Sequence, residues 1–384
     1  MQTVLLAWEL GAGFGHIATL RQVAARLSAH GMRCVAAVKD VGGAAELARD
    51  GIALLQAPVW KPARSSATLG DRIGDAGLAD PQALRQLLAA WCRIIDEIKP
   101  DLVVCDYAPA ASLVARGRIP LALIGNGFTL PPAEMPAFPL LHHICPPVWQ
   151  ERFLLDTANS VLADLHLQPL QRLPQLFSGD VIWVHTFPLL DHYARWRARP
   201  AQGPAIDRLP KPCQGDGSQI LIYLSSWGGG RQPFLANLRR FATRIRLFAP
   251  ALPAAERESY ANWGVRLEDK PFNVAEDFAS ARLVIHLGSD GTASACVLAG
   301  VPQLACAIDV EKELNGKALT RAGIGKFLPL YKPSVTLTED VVAGLVADRA
   351  LARTAREVGE GHRAEFGDAD PSAEFEAECL KLLT

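Results

Sequence analysis

The chain reads as an α/β protein built from two doubly wound, parallel-sheet domains. Apolar runs of strand length alternate with helical patterns from the first residue onward, and a proline- and glycine-rich stretch near the middle interrupts that alternation. A length of 384 residues, 49% of them hydrophobic and 21% charged, suits two domains that each bury a core.

The expected strands of the first domain are Thr3–Trp8, Arg33–Val38, Ile52–Gln56, Asp101–Cys105, Leu121–Gly125 and Val181–His185. Those of the second are Gln219–Ser225, Arg246–Ala249, Arg282–Leu287 and Gln303–Ile308. Helical patterns between successive strands imply right-handed crossovers and hence parallel sheets. The stretch Arg195–Gly217 has neither a helical nor a strand period and reads as a linker. The expected division is a first domain over 1–200, a linker over 201–217, a second domain over 218–360 and a charged helical segment over 361–384. That last segment, broken at Pro371, either packs back on the first domain or stands solvated. Two such domains facing each other bring the carboxyl ends of both sheets to a central cleft, where α/β proteins bind ligands.

Composition excludes several classes. The net charge is -1 and no long run of like charges occurs, so nucleic acid is not an expected partner. The opening residues lack a basic segment, and Glu9 interrupts their apolar run too early for a signal peptide. No stretch has the roughly 20 apolar residues of a membrane span, so a cytoplasmic protein is expected. The 8 cysteines lie in apolar segments without a Cys-x-x-Cys pair, which fits reduced core thiols better than a disulfide framework or a zinc ribbon. No metal site is expected, the adjacent His142 and His143 being insufficient for one.

Three motifs carry the candidate chemistry. The first strand leads into Gly11, Gly13 and Gly15, which permit a tight turn, and His16 sits where a helix begins. This turn differs from the dinucleotide fingerprint in its third glycine and in lacking an acidic residue at the end of the second strand. Asp106 lies just past the end of the fourth expected strand; it either caps the helix starting near Pro109 or accepts an N–H from His16 and fixes its tautomer. The stretch His286–Leu304 reads as strand, polar turn, helix and second strand. Such a turn leaves backbone N–H groups beside the positive end of a helix dipole, a natural phosphate or diphosphate site.

Taken together, the N-terminal Gly-His, the strand-end Asp106 and the segment "HLGSDGTASACVLAGVPQLACAIDVEKELNGKAL" resemble glycosyltransferases of the family that includes macrolide, plant secondary-metabolite and glucuronosyl transferases. The resemblance is strongest over 271–319 and weak over 131–212. It implies the GT-B fold, two Rossmann-like doubly wound parallel-sheet domains facing a central cleft. It also implies an inverting, metal-independent transfer of a sugar from UDP or dTDP to a hydroxyl of a small, apolar acceptor. No cofactor is implied, since the nucleoside diphosphate sugar is a co-substrate, and the enzyme is expected as a monomer or homodimer.

Carried over by position, the resemblance makes His16 the general base and Asp106 its partner. His286, Gly288, Ser289, Gly291 and Thr292 correspond to the diphosphate site, faced by a loop containing Ser225, Ser226 and Gly228. Glu311, Lys312 and Asn315 correspond to donor-sugar ligands, and Pro271, Phe272 and Val274 to the nucleobase site. Gly13, Phe14, Asn126, Phe128 and His142 are the candidate acceptor contacts, with 128–153 either an acceptor-binding loop or a cover over the core. Three departures stand out. Lys312 replaces a usual Gln, Asp290 brings a negative charge into the diphosphate turn, and no Trp precedes Pro271 to stack a base. The alternatives are a nucleotide-sugar 2-epimerase on the same architecture and a silent relative that binds a nucleotide sugar and activates a partner enzyme.

Overall fold

The computed structural model describes residues 1–384 except 12, 63–65, 143, 144, 205, 207, 214–216, 226–235, 368 and 369. It divides into one compact unit of Met1–Ala205 with Asp370–Thr384, and a second of Ile206–Ala369.

The first unit runs β1 (Thr3–Trp8), α1 (Phe14–Ala29), β2 (Arg33–Val38), α2 (Ala45–Arg49), β3 (Ala53–Gln56), α3 (Leu69–Ile73) and α4 (Pro81–Ile98). It continues through β4 (Leu102–Asp106), α5 (Pro109–Ala115), β5 (Leu121–Gly125), α6 (Glu151–Asp164) and β6 (Val181–Val184). All its strand pairs are parallel, in the order β3-β2-β1-β4-β5-β6. Alternation along β1 turns Val4, Leu6 and Trp8 to one face, where Ile17, Leu20, Val23 and Leu27 of α1 cover them at helical spacing. The register pairs Trp8 with Asp106, so β1 and β4 end level with each other.

The second unit contains β7 (Gln219–Tyr223), β8 (Ile245–Phe248), α7 (Ala254–Asn262), β9 (Arg266–Glu268), α8 (Val274–Asp277), β10 (Ala281–His286) and α9 (Asp290–Ala299). After these come β11 (Gln303–Ala307), α10 (Val310–Arg321), β12 (Gly325–Pro329), α11 (Glu339–Ala347) and α12 (Arg349–Phe366). The sheet is again parallel, ordered β12-β11-β10-β7-β8-β9. Both faces are apolar: Ile220, Ile222, Leu283 and Ile285 enter one core cluster and Leu221 and Val284 the other. The architecture is thus two Rossmann-like α/β units, as the strand–helix alternation predicts. Two strands escape the sequence reading, β9 and β12, and they are the two edges of this sheet. Most of their residues are only half-buried, so they lack the apolar runs that mark the inner strands.

The C-terminal segment is split. Helix α12 packs against α9 in the second unit, whereas α13 (Pro371–Leu382) belongs to the first. There Phe375 and Cys379 enter the core beside Trp183, and Arg26 pairs with Asp370 (2.6 Å) and Glu376 (3.0 Å). All 8 cysteines are free. Among the described residues no helix is long and apolar enough to cross a membrane.

Candidate active site

In the first unit the turn after β1 returns the chain over the ends of β1 and β4. His16 is the third residue of α1, and its Nδ1 lies 2.9 Å from Asp106 Oδ1. Asp106 is 2% exposed, and with its carboxylate as the acceptor Nδ1 is the donor of this bond. In that tautomer Nε2 is the acceptor nitrogen of the ring. The imidazole is fixed on its faces by Trp8 (ring centroids 5.2 Å apart) and Tyr107 (6.3 Å). Gly11 has φ +79°, and a Cβ there would collide with Nε2, so only glycine lets the turn lie against the base.

Asp106 does not cap α5. That helix start is served by Glu9, whose carboxylate accepts the N–H groups of Ala110 (3.0 Å) and Ala111 (2.7 Å) and the indole N–H of Trp60 (2.5 Å). Complete burial outweighs these bonds and pushes the Glu9 pKa up to about 7. With Glu9 in this place, Asp106 is left to His16. His185, one residue beyond β6, also feels Asp106 and His16; burial lowers its pKa, while the Asp106 charge pulls the other way.

The proposed acceptor contacts fall into two groups. Gly13 faces open space and Phe14 is 58% exposed, both beside the dyad. Phe128 and His142 are instead buried, and Asn126 uses its side-chain oxygen to accept the N–H groups of Phe128 and Thr129. These three build the loop after β5 and present little surface to a ligand. His143 lies outside the described residues.

In the second unit, β10 ends at His286 and the chain turns through Gly288 and Ser289 into α9. The first intrahelical bond is Ala293 N–H to the Ser289 carbonyl (2.9 Å), so the N–H groups of Asp290, Gly291 and Thr292 precede it. Gly291 is open to space. The sequence-based expectation that the His286 side chain itself grips phosphate is corrected by its placement. The ring is fully buried, Nε2 donates to Gln303 Oε1 (3.0 Å), and Nδ1 accepts the Gly288 N–H (3.0 Å). Burial drops its pKa to about 4, so it is a neutral brace behind the turn. Asn315 is a second brace, donating to the Gly288 carbonyl at 2.9 Å from α10. It is 1% exposed and holds the turn, where a sugar ligand was expected.

Asp290 opens α9 on its buried side, where the Ser294 hydroxyl donates to it (3.5 Å). The charge that was expected to conflict with a diphosphate is therefore turned inward. Lys312 folds back on Asp309, which accepts both its backbone N–H (3.1 Å) and its ammonium (2.5 Å). Glu311 is half-buried in the first turn of α10, and Ser289 donates to the Thr292 hydroxyl (3.1 Å). Phe272 packs in the core against Tyr223 with Arg246 above it, so its ring is not an open platform; Pro271 is exposed and Val274 half-buried. Ser225 is half-buried just past β7, while Ser226 and Gly228 lie outside the described residues.

Sequence reasoning missed Glu9, Lys39, His185 and Gln303 as members of these sites. The first three share a signal: each is a polar residue one position beyond a strand on the carboxyl edge of the first sheet.

No protein-family model matches this chain, and no curated protein matches it. Solved structures do. The calicheamicin glycosyltransferase CalG4 is 18% identical, with a TM-score of 0.69 over 100% of this chain and 98% of its own. The glycosyltransferase VinC, solved in complex with dTDP, is 16% identical, with a TM-score of 0.64 over 100% and 99% of the two chains. SnogD from Streptomyces nogalater is 20% identical, with a TM-score of 0.60 and 99% coverage of both chains. With parallel six-stranded sheets in both units and likeness along the whole chain, the protein has the GT-B fold of these glycosyltransferases.

Proposed function

We propose that this chain is a glycosyltransferase that moves a sugar from a UDP- or dTDP-linked donor to a hydroxyl of a small acceptor with an apolar body. The observation that carries this reading is the His16–Asp106 pair, 2.9 Å apart at the carboxyl edge of the first sheet. Nε2 takes the hydroxyl proton as the acceptor oxygen attacks the anomeric carbon, and Asp106 stabilises the imidazolium that forms. One base and one displacement invert the anomeric centre. The departing diphosphate meets the first-turn N–H groups and dipole of α9, which supply charge stabilisation without a metal. His286, Gln303 and Asn315 hold that turn in position. VinC was solved with dTDP, which supports a nucleoside diphosphate for the same fold here. Free cysteines throughout suit a reducing compartment, in keeping with a cytoplasmic enzyme.

Thermal-shift measurement across UDP, dTDP and NAD tests the binding half, since a specific ligand raises the unfolding temperature by mass action. UDP or dTDP is expected to stabilise the protein and NAD not to. Nucleoside diphosphate release from a nucleotide sugar, with acceptor present, tests the chemical half. Stabilisation by NAD alone, or transfer that survives His16→Ala intact, rejects the reading.

A further inference from the structure

Lys39 follows the last residue of β2, and its backbone N–H donates to the Trp8 carbonyl at 3.0 Å. Its side chain runs across the Trp8 ring, with Nζ 5.8 Å from the centroid, and donates to the Gly11 carbonyl at 2.7 Å. Trp8 stacks on His16, and Gly11 lies against His16 Nε2. Two separate contacts thus put this ammonium beside the proton acceptor of the dyad.

An ammonium has three donors, and Gly11 takes one. Among the described residues no carboxylate lies within ion-pair distance of Lys39. Asp40 attracts it only from an exposed position, where its own Oδ1 accepts the Gly43 N–H at 2.9 Å. Arg72, half-buried at the end of α3, is near enough to repel Lys39; its backbone N–H donates to the Thr68 carbonyl at 3.2 Å, and its guanidinium makes no hydrogen bond or ion pair with any described residue. Burial, then Arg72, hold the Lys39 pKa below the ordinary lysine value. Half-buried cations are ordinarily paired, because desolvation and mutual repulsion both cost free energy. An anion between them removes both penalties.

We propose that Lys39 and Arg72 form a carboxylate subsite beside His16, so that the acceptor carries an anionic group as well as the hydroxyl that is glycosylated. The word "acceptor" rests on the glycosyl-transfer reading; the subsite itself rests on the two cations. A carboxylate receives two N–H groups from the ammonium and a paired donor fork from the guanidinium, and its distance from the base fixes which hydroxyl of the acceptor is presented. The expected acceptor is therefore amphipathic, a hydroxylated carboxylic acid with an apolar body.

Calorimetric titration tests the subsite without turnover, using hydroxycinnamate, hydroxybenzoate and a hydroxylated long-chain fatty acid, each against its methyl ester. At least one acid is expected to bind about tenfold more tightly than its ester, the size of one charge-assisted contact. Lys39→Met and Arg72→Gln should each bring that ratio toward one, and Lys39→Arg should largely restore it. Arg72→Gln guards against a trivial result, because Lys39 also steadies the Gly11 turn. Equal binding of every acid and its ester, binding of none of the acids, or equal weakening of both by the variants overturns the proposal. So does a parallel loss of UDP and dTDP affinity, which would assign the cations to the donor phosphates. Failure of sugar transfer with acid selectivity intact rejects the enzymatic reading and leaves the subsite standing.

Discussion

Replacing Gly11 by alanine should disable the base without touching any chemical group of the dyad. Gly11 sits at φ +79°, and an added Cβ would overlap His16 Nε2 and lie 3.2 and 3.3 Å from Cε1 and Cδ2. Positive φ costs an L-residue about 1–2 kcal/mol, and the overlap forces either the turn or the imidazole to move by about 1 Å. If the imidazole yields, its bond to Asp106 at 2.9 Å lengthens and Nε2 leaves the acceptor; a misplacement of that size costs about 100-fold in rate. Unfolding temperature should fall by about 2–8 °C, from about 1–2 kcal/mol in a unit of this size. The assay is kcat/KM for nucleoside diphosphate release with acceptor, alongside the UDP thermal shift. The shift should persist, because the diphosphate turn belongs to the other unit. Activity within about threefold of wild type in a folded Gly11→Ala protein would refute the reasoning that the imidazole, and not the turn, gives way.

Other outcomes follow from the same geometry. His16→Ala should lower kcat by about 10²–10⁴-fold, and Asp106→Asn should impair transfer while leaving the UDP thermal shift unchanged, as steady-state kinetics and thermal shift would check. Gly288 has φ +91°, and a Cβ would stand 2.9 Å from the Lys312 carbonyl, so Gly288→Ala should abolish stabilisation by UDP or dTDP; Asn315→Ala should weaken it about tenfold. Incubating the protein with UDP-sugar and no acceptor should leave the sugar unconverted, whereas a 2-epimerase would change it. Two buried groups give the stability opposite pH slopes. His286 falls from 6.5 to about 4 on folding, so its roughly 3 kcal/mol is fully present above pH 6.5 and is lost as pH falls through about 4. Glu9 rises from 4.5 to about 7, so its contribution of similar size is present below pH 4.5 and is lost as pH rises through about 7. Chemical unfolding at a series of pH values should show His286→Gln flattening the acid-side loss and Glu9→Gln the decline toward neutrality.

Much of this molecule is legible before any coordinates. The inner strands announce themselves because both of their faces are buried, as in Leu102–Asp106, where all five residues are buried. The two strands that were not legible, Arg266–Glu268 and Gly325–Pro329, are edges where a charged or half-exposed residue costs nothing. Strand ends were legible as places where polar side chains and turns gather, which is why His16, Asp106 and the 286–292 turn stand out. Their division of labour was not. His286 and Asn315 look like ligands by position, yet burial and hydrogen bonds to Gly288 make them braces.

By itself the sequence determined the alternation of strands and helices, the parallel sheets and the two polar turns, because these depend on local period and on glycine's freedom at positive φ. Tertiary structure alone decided that Glu9 takes the α5 N-terminus, that Asp106 consequently serves His16 across 90 residues of chain, and that Lys39 reaches Gly11 without a carboxylate of its own. The physical reason is competition: each polar atom at a sheet edge has several partners its residue type allows, and only packing and desolvation in the folded chain select among them.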